Sequence, residues 1–338
     1  MLSLLIFAFY VIQIAASAGW SVVLFRVMEG LSANLIPLGI IMLLFILAAA
    51  FGMNHFYPWM HAEGDAIIEG KSWWLNVPGW TIRGVIYIVG FILFRYIIRK
   101  KSLEQDNATD YKAHEKGFKY GIIFLAFFML SESALSWDWI MSLDPHWFST
   151  LFAWYIFASA MVSAVTVIAI VTMYLKAKGY LSFVNDSHLH DLGVYMFGFS
   201  IFWTYLWFAQ YMLIWYSNMP EETTYFAQRM HDYNFIFYFM VALNFAFPIL
   251  ILMDTEWKRK FSILTIVGLV ILVGHYIDVF VMIMPSSVGA QWHFGIPEIG
   301  ALLFFIGLFI YCGFRAIGKV PLLAKGNPYL KESEDYHN

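Results

Sequence analysis

The sequence predicts an all-α polytopic membrane protein. Three observations point there. Hydrophobic residues make up 61% of the chain and charged residues only 13%, too apolar for a soluble domain to cover its own surface. Nine apolar runs are long enough for a span, which needs about 20 mainly apolar residues. Lysine and arginine collect in alternate loops. The spans read as helices because unpaired backbone cannot face lipid and barrel strands would be short and alternating.

The runs cover residues 2 to 25, 35 to 53, 79 to 98, 118 to 141, 149 to 175, 191 to 216, 232 to 253, 261 to 283 and 298 to 317. After the third comes "RYIIRKKSLEQDNATDYKAHEKGFK", after the fifth "LKAKGY", after the seventh "EWKRK" and after the ninth "FRAIGK". The intervening loops "SLDPHWFS", "NMPEETTYFAQRM" and "MPSSVGAQWHFGIPE" carry Arg229 alone. By the positive-inside rule the basic loops and the C-terminus are cytoplasmic, and the N-terminus is external. The opening "MLSLLIFAFY" has no basic flank and no cleavage site, so it reads as a span and not as a signal peptide. An external start without a polar tail suggests a preceding span outside this chain. The tail from 318 to 338 is polar and broken by Pro and Gly, an extended cytoplasmic arm that is either disordered or pinned to a neighbour.

Polar residues at membrane depth carry the functional signal. Glu132 lies about 20 Å from the inner end of the fourth run, and His275 about 20 Å from that of the eighth. Asp278 follows three residues after His275 on the same helical face. Asp138 sits nearer the outer end, and the sixth run brings Thr204, Tyr205, Gln210 and Tyr211 through a similar layer. Glu132 and Asp138 are about 240° apart around their helix, so they form two sites and not one acidic cluster. A charge near the bilayer centre costs about 2.5 to 3.5 kcal/mol even on the lenient scale, so these groups must be paired, protonated or wet. Two readings stand: structural hydrogen bonds between helices, or a proton-handling layer in which burial moves carboxyl and imidazole groups toward physiological pH.

On the cytoplasmic side His188, His190 and Asp191 lie at the mouth of the sixth run. Ser159, Ser163 and Thr166 share one face of the fifth, Asn244 could extend that row inward, and Asp254 lies at the inner end of the seventh. Such a row is either an inner proton path or close packing of membrane helices.

Other chemistry fails on composition. The single cysteine, Cys312, excludes an internal disulfide, covalent haem or an iron–sulfur cluster held by this chain alone. Only His275 is deep, so a bis-histidine haem lacks its second ligand. No Walker sequence or dinucleotide fingerprint is present, and no basic face suits nucleic acid. In the outer loop of residues 54 to 78, His55, His61, Glu63 and Asp65 match no metal spacing. Its tryptophans suit a docking surface for an external partner.

Five stretches taken together, "AGWSVVLFRVMEG" (18 to 30), "SWDWIMSLDPHWFSTLFAWYIFASAMVSA" (136 to 164), "HLHDLG" (188 to 193), "IFWTYLWFAQYMLIWYSNMPEET" (201 to 223) and "GHYIDVFVMIMP" (274 to 285), carry a family resemblance. They are similar to a membrane component of bacterial alternative complex III, the one of its two related membrane subunits that does not hold the quinol. The wider family is that of the polysulfide-reductase (NrfD-like) membrane subunits. The similarity runs from residue 18 to about 331. It implies ten spans, the missing one N-terminal, in two four-helix bundles of opposed topology. The bundles would be 1 to 141 and 149 to 283, with 298 to 317 as a flanking helix.

The resemblance also implies a non-catalytic subunit in the bacterial cytoplasmic membrane that anchors a quinol-oxidising complex and conducts protons. A related sister membrane subunit would hold the quinol, and iron–sulfur and cytochrome c subunits would hold the clusters and c-type haems. This chain would bind no cofactor. Its implied path residues are Asp138, His275 and Asp278 outside and His188, His190 and Asp191 inside, to which depth adds Glu132 and Gln210. The alternative is a quinol-binding subunit in which His275 and Asp278 accept the hydroxyl protons.

Overall fold

The computed structural model describes residues 1–53, 56–61 and 64–337. Among them, eight helices are long and apolar enough to cross a membrane, and a ninth, Leu2–Ala15, is apolar but shorter. In chain order we call them α1 (Leu2–Ala15), α2 (Gly19–Ala50), α3 (Val77–Gln105), α4 (Lys112–Trp139), α5 (Phe152–Ala177), α6 (Asp186–Ser217), α7 (Asn234–Leu252), α8 (Phe261–Val288) and α9 (Ile296–Ile317).

The first two expected runs are divided differently from the hydropathy reading. The helix stops at Ala15, Ser17 takes a left-handed φ of 49°, and α2 begins at Gly19. Residues 19 to 25 therefore belong to the second helix, which also absorbs the expected loop at 26 to 34. Hydropathy misses the turn because apolar residues continue through it. It misreads 26 to 34 because Arg26, Glu29, Ser32 and Asn34 look solvated, whereas all four are buried and bonded to one another or to their neighbours. Arg26 bonds Glu29 at 2.6 Å and Asp106 at 2.5 Å. Tyr10 donates to Glu29 at 2.7 Å, and Arg95 reaches Ser32 at 3.0 Å. Opposite charges that neutralise each other and fill their hydrogen bonds can stay inside a low-dielectric interior.

Every residue of α1 from Ser3 to Val11 is buried, which explains a helix that is hydrophobic on all sides. It packs on α2, α4 and α5. Further pairs are α2 with α3, α3 with α4, α4 with α5, α5 with α6 and α8, and α7 with α6 and α8. The peripheral α9 rests on α2, where Asn34 donates to the Phe309 carbonyl at 3.1 Å, and leaves Leu303, Phe304 and Ile310 exposed.

Local chemistry sets several helix ends and the irregular turn of α7. Asn76 caps α3, with Pro78 in its first turn. Asn185 and His188 form a reciprocal capping box on α6, which ends at Asn218 in a left-handed conformation. In α7, Pro248 has no N–H to offer the carbonyl four residues back, that of Asn244, and Ala242–Ala246 widens into a π turn.

The tail is pinned to the chain's own basic end. Ser333 donates to the Trp20 carbonyl at 2.7 Å, and Gly326 N–H bonds Asp106 at 3.2 Å. A Cβ at Gly326 would stand 2.0 Å from the Gln105 carbonyl oxygen, a backbone atom that cannot rotate aside. Gly326→Ala is therefore expected to lift the tail, at about 1–3 kcal/mol for the forced displacement. Faster tryptic cleavage at Lys325 would show it, and an unchanged rate would contradict it.

Candidate functional site

A buried polar site is assembled by three helices around Asp278, which is completely buried. On α8, three-residue spacing places His275 and Asp278 on one face, and His275 Nδ1 lies 3.5 Å from Asp278 Oδ2. On α5, four-residue spacing aligns Tyr155 and Ser159. The Tyr155 hydroxyl donates to Asp278 Oδ1, and Ser159 Oγ donates to Oδ2 at 2.8 Å. From α6, Trp203 Nε1 donates to Oδ2 at 3.0 Å, and its ring meets His275 edge to face at 5.3 Å.

Ser159 has one hydroxyl proton. With that proton on an ionised Asp278, the 3.0 Å contact of Ser159 to His275 Nδ1 is a hydrogen bond only in the tautomer that carries the proton on Nδ1. His275 Nε2 is then the open edge of the ring. It is buried and has no partner among the described residues.

Two further buried amides surround this pair. Asn244, at the π turn, is fully buried, and neither its Oδ1 nor its Nδ2 has a partner among the described residues. It lies against Gly274, where a Cβ would be 2.1 Å from its Oδ1, so only glycine permits the approach. This places Asn244 level with His275, not inward of it along the Ser159, Ser163 and Thr166 row. Ser163 and Thr166 bond back to carbonyls of their own helix, at 2.9 and 2.7 Å. Gln210, also buried, has an Oε1 with no partner among the described residues and shares with Tyr155, Asp278 and Arg229 a cavity of about 10 Å³. That is the size of a single water position.

Arg229 is 2% exposed and is the fixed charge on this cavity. Pro285 cannot donate to the Val281 carbonyl, which would otherwise close a helical turn. Arg229 Nε takes that carbonyl at 3.1 Å, while its other nitrogens bond the carbonyls of Tyr225 at 2.8 Å and Met282 at 3.1 Å. The guanidinium lies 3.3 Å from the Tyr225 ring centre. Burial pushes its pKa down, partly opposed by Tyr225, Tyr155 and Asp144.

Asp138 occupies a separate and saturated site. Arg83 grips it with Nε on Oδ2 and a terminal nitrogen on Oδ1, both at 2.8 Å. Trp74 Nε1 adds 2.8 Å and Tyr87 3.3 Å, and Trp80 Nε1 bonds the Asp138 backbone carbonyl at 2.9 Å. Asp138 therefore carries a bidentate ion pair with a permanent cation, whereas the basic group beside Asp278 is the His275 imidazole at 3.5 Å.

Glu132 is 4% exposed and accepts from Ser136 on its own helix at 3.2 Å. As the 240° separation requires, it shares no partner with Asp138. Thr204 bonds back to the Ser200 carbonyl, and Tyr205 is 65% exposed on the outside of α6.

The inner residues bond to helix ends, loop amides and the tail. His188 caps α6 and its Nε2 meets the Ser333 carbonyl at 3.0 Å. Asp191 accepts the Tyr336 hydroxyl at 2.7 Å and lies 3.2 Å from His190 Nδ1. Exposed Asp254 accepts the amides of Glu256 and Trp257. On the outer loop Asp65 caps Ala66–Gly70 and bonds His146 at 2.7 Å, while His55 and Glu63 lie outside the described residues. Among the described residues no three His, Cys, Asp or Glu side chains converge on a metal position.

Sequence reasoning missed Tyr155, Trp203, Arg229 and Arg83. The four-residue spacing of Tyr155 and Ser159 and the seven-residue spacing of Trp203 and Gln210 were available signals, since each pair shares a helix face. Arg83 gave none beyond its depth. No family model matches the chain, and no curated protein matches it.

Proposed function

We propose that this chain is a non-catalytic, proton-conducting membrane subunit of a bacterial quinol-oxidising complex of the alternative complex III type, with α1–α4 and α5–α8 as its two bundles. It anchors a related quinol-binding membrane subunit and subunits that carry iron–sulfur clusters and c-type haems. It lies in the cytoplasmic membrane with its C-terminus inside.

One observation carries the reading. Asp278 is fully buried with His275 Nδ1 3.5 Å from its Oδ2, while the neighbouring His275 Nε2, Asn244 amide and Gln210 Oε1 are all buried without partners among the described residues. Buried polar groups of this kind are satisfied by water. A carboxyl, an imidazole and bridging water supply the elements of a proton relay. Asp138, gripped by Arg83, serves as an anchor of the first bundle, and His188, His190 and Asp191 form the gate residues under the tail.

The quinol-binding alternative needs a ring-sized space, on the order of 300 Å³ or more, and the cavity on Asp278 is about 10 Å³. Asn244→Leu separates the two readings in the assembled complex. Losing one buried hydrogen-bonding link is expected to cut the protons moved per quinol by about tenfold, with quinol oxidation unchanged. A fall in quinol oxidation at a constant proton ratio would place the quinol site here.

A further inference from the structure

At the end of the helices opposite the basic loops, a cavity of about 300 Å³ opens between the start of α3 and the turn after α4. Its volume falls in the range of small-ligand sites. Trp74, Trp137, Trp147 and Phe148 wall it, and its two charged residues are of opposite sign, Lys71 and Asp144.

Each polar group on the wall has capacity left. The half-buried Asp144 carboxylate makes no hydrogen bond and no close ion pair with any described residue, and its charge acts on Lys71 and Arg229 at longer range. Lys71 Nζ donates to the Pro145 carbonyl at 2.6 Å and lies 5.6 Å from the Phe148 ring centre, which leaves two of its three N–H groups. The buried indole N–H of Trp137 has no partner among the described residues. Trp73 and Phe148, 77% and 57% exposed, mark a level where indoles settle in the membrane interface.

We propose that this cavity binds the zwitterionic headgroup of a phosphoethanolamine-class phospholipid. The ammonium sits against Asp144 and the indole faces, which attract cations through their ring quadrupoles. The phosphate takes Lys71 and the Trp137 N–H. Opposite charges on one wall select a ligand that carries both signs. A purely anionic headgroup would leave Asp144 facing like charge, and a purely cationic one would do the same to Lys71. The acyl chains run down the lipid-facing surface.

Native mass spectrometry of the full chain in detergent, titrated with phosphatidylethanolamine and phosphatidylglycerol, tests the assignment. Phosphatidylethanolamine is expected to bind about tenfold more tightly, the effect of one charge-assisted contact. Asp144→Asn should remove that preference by weakening phosphatidylethanolamine alone, and Lys71→Gln should weaken both lipids. Glycerophosphoethanolamine should displace the bound lipid where glycerophosphoglycerol does not, which shows that the headgroup is what the site reads. Equal affinities in the wild type overturn the proposal, as does a preference that survives Asp144→Asn in a variant of unchanged helicity. If Asp144→Asn does not fold, Lys71→Gln decides, because unaltered binding of both lipids also overturns it.

Discussion

Asp278→Asn is expected to lower proton flux through the full chain in proteoliposomes by about 100-fold or more, the usual loss on removing a proton-exchanging group. The substitution keeps the shape of the side chain. Its remaining oxygen can still accept from Ser159 or Trp203, which now bond Asp278 at 2.8 and 3.0 Å. Only the capacity to take up and release a proton disappears. Flux driven by an imposed pH gradient, read with an entrapped dye, checks this. A variant of normal helicity that conducts like the wild type would show that Asp278 is a structural hydrogen-bond acceptor. Tyr155→Phe, which removes the donor to Oδ1, is expected to alter the flux without abolishing it, because Ser159 and Trp203 still hold the other oxygen.

The largest stability effect belongs to the other aspartate. Arg83→Met leaves Asp138 fully buried without its bidentate cation and is expected to destabilise the fold by about 3–5 kcal/mol. Asp138→Asn should cost less, about 1–3 kcal/mol, because the Arg83 side chain is 20% exposed and can hydrate. The double variant should recover most of the Arg83→Met loss, since no unpaired charge then remains inside. A double-mutant cycle on reversible unfolding in detergent measures this coupling. Additive losses would mean that the ion pair does not hold α3 to α4.

The two aspartates illustrate how much of the site could be read from sequence. Depth along a helix identified Glu132, Asp138, His275 and Asp278 as buried, and all four are at most 4% exposed. Spacing paired His275 with Asp278 and set Glu132 apart from Asp138. What distinguishes the sites is contributed from elsewhere in the chain: Arg83 lies 55 residues before Asp138, and Tyr155 lies 123 before Asp278. Periodicity carries no information on such contacts, which depend on how helices dock. Ser159 and Asn244 were assigned to an inner row because spacing gives a face but not a neighbour. Packing sets Ser159 against His275 and Asn244 against Gly274, one residue away.

Helix existence was legible for the same reason that ends were not. Lipid imposes long apolar runs, and those from α3 onward match their expected spans closely. The apolar stretch through Ala16–Ala18 hides a turn, however, and the polar stretch at Arg26–Asn34 hides a helix, because charge pairing replaces solvation there. Likewise the tail has no helical period, yet it is fixed by single bonds from Gly326, Ser333 and Tyr336. Local composition predicted the polarity of these segments and not their partners.

The central claim is that Asp278 exchanges a proton inside the membrane. Infrared difference spectroscopy of the full chain in lipid, titrated across the physiological pH range, observes that exchange at the carboxyl itself. The account predicts a buried carboxyl band that appears and vanishes reversibly with pH, is absent from Asp278→Asn, and shifts in Tyr155→Phe through the altered hydrogen bond. A spectrum in which no titrating carboxyl band depends on Asp278 would contradict it.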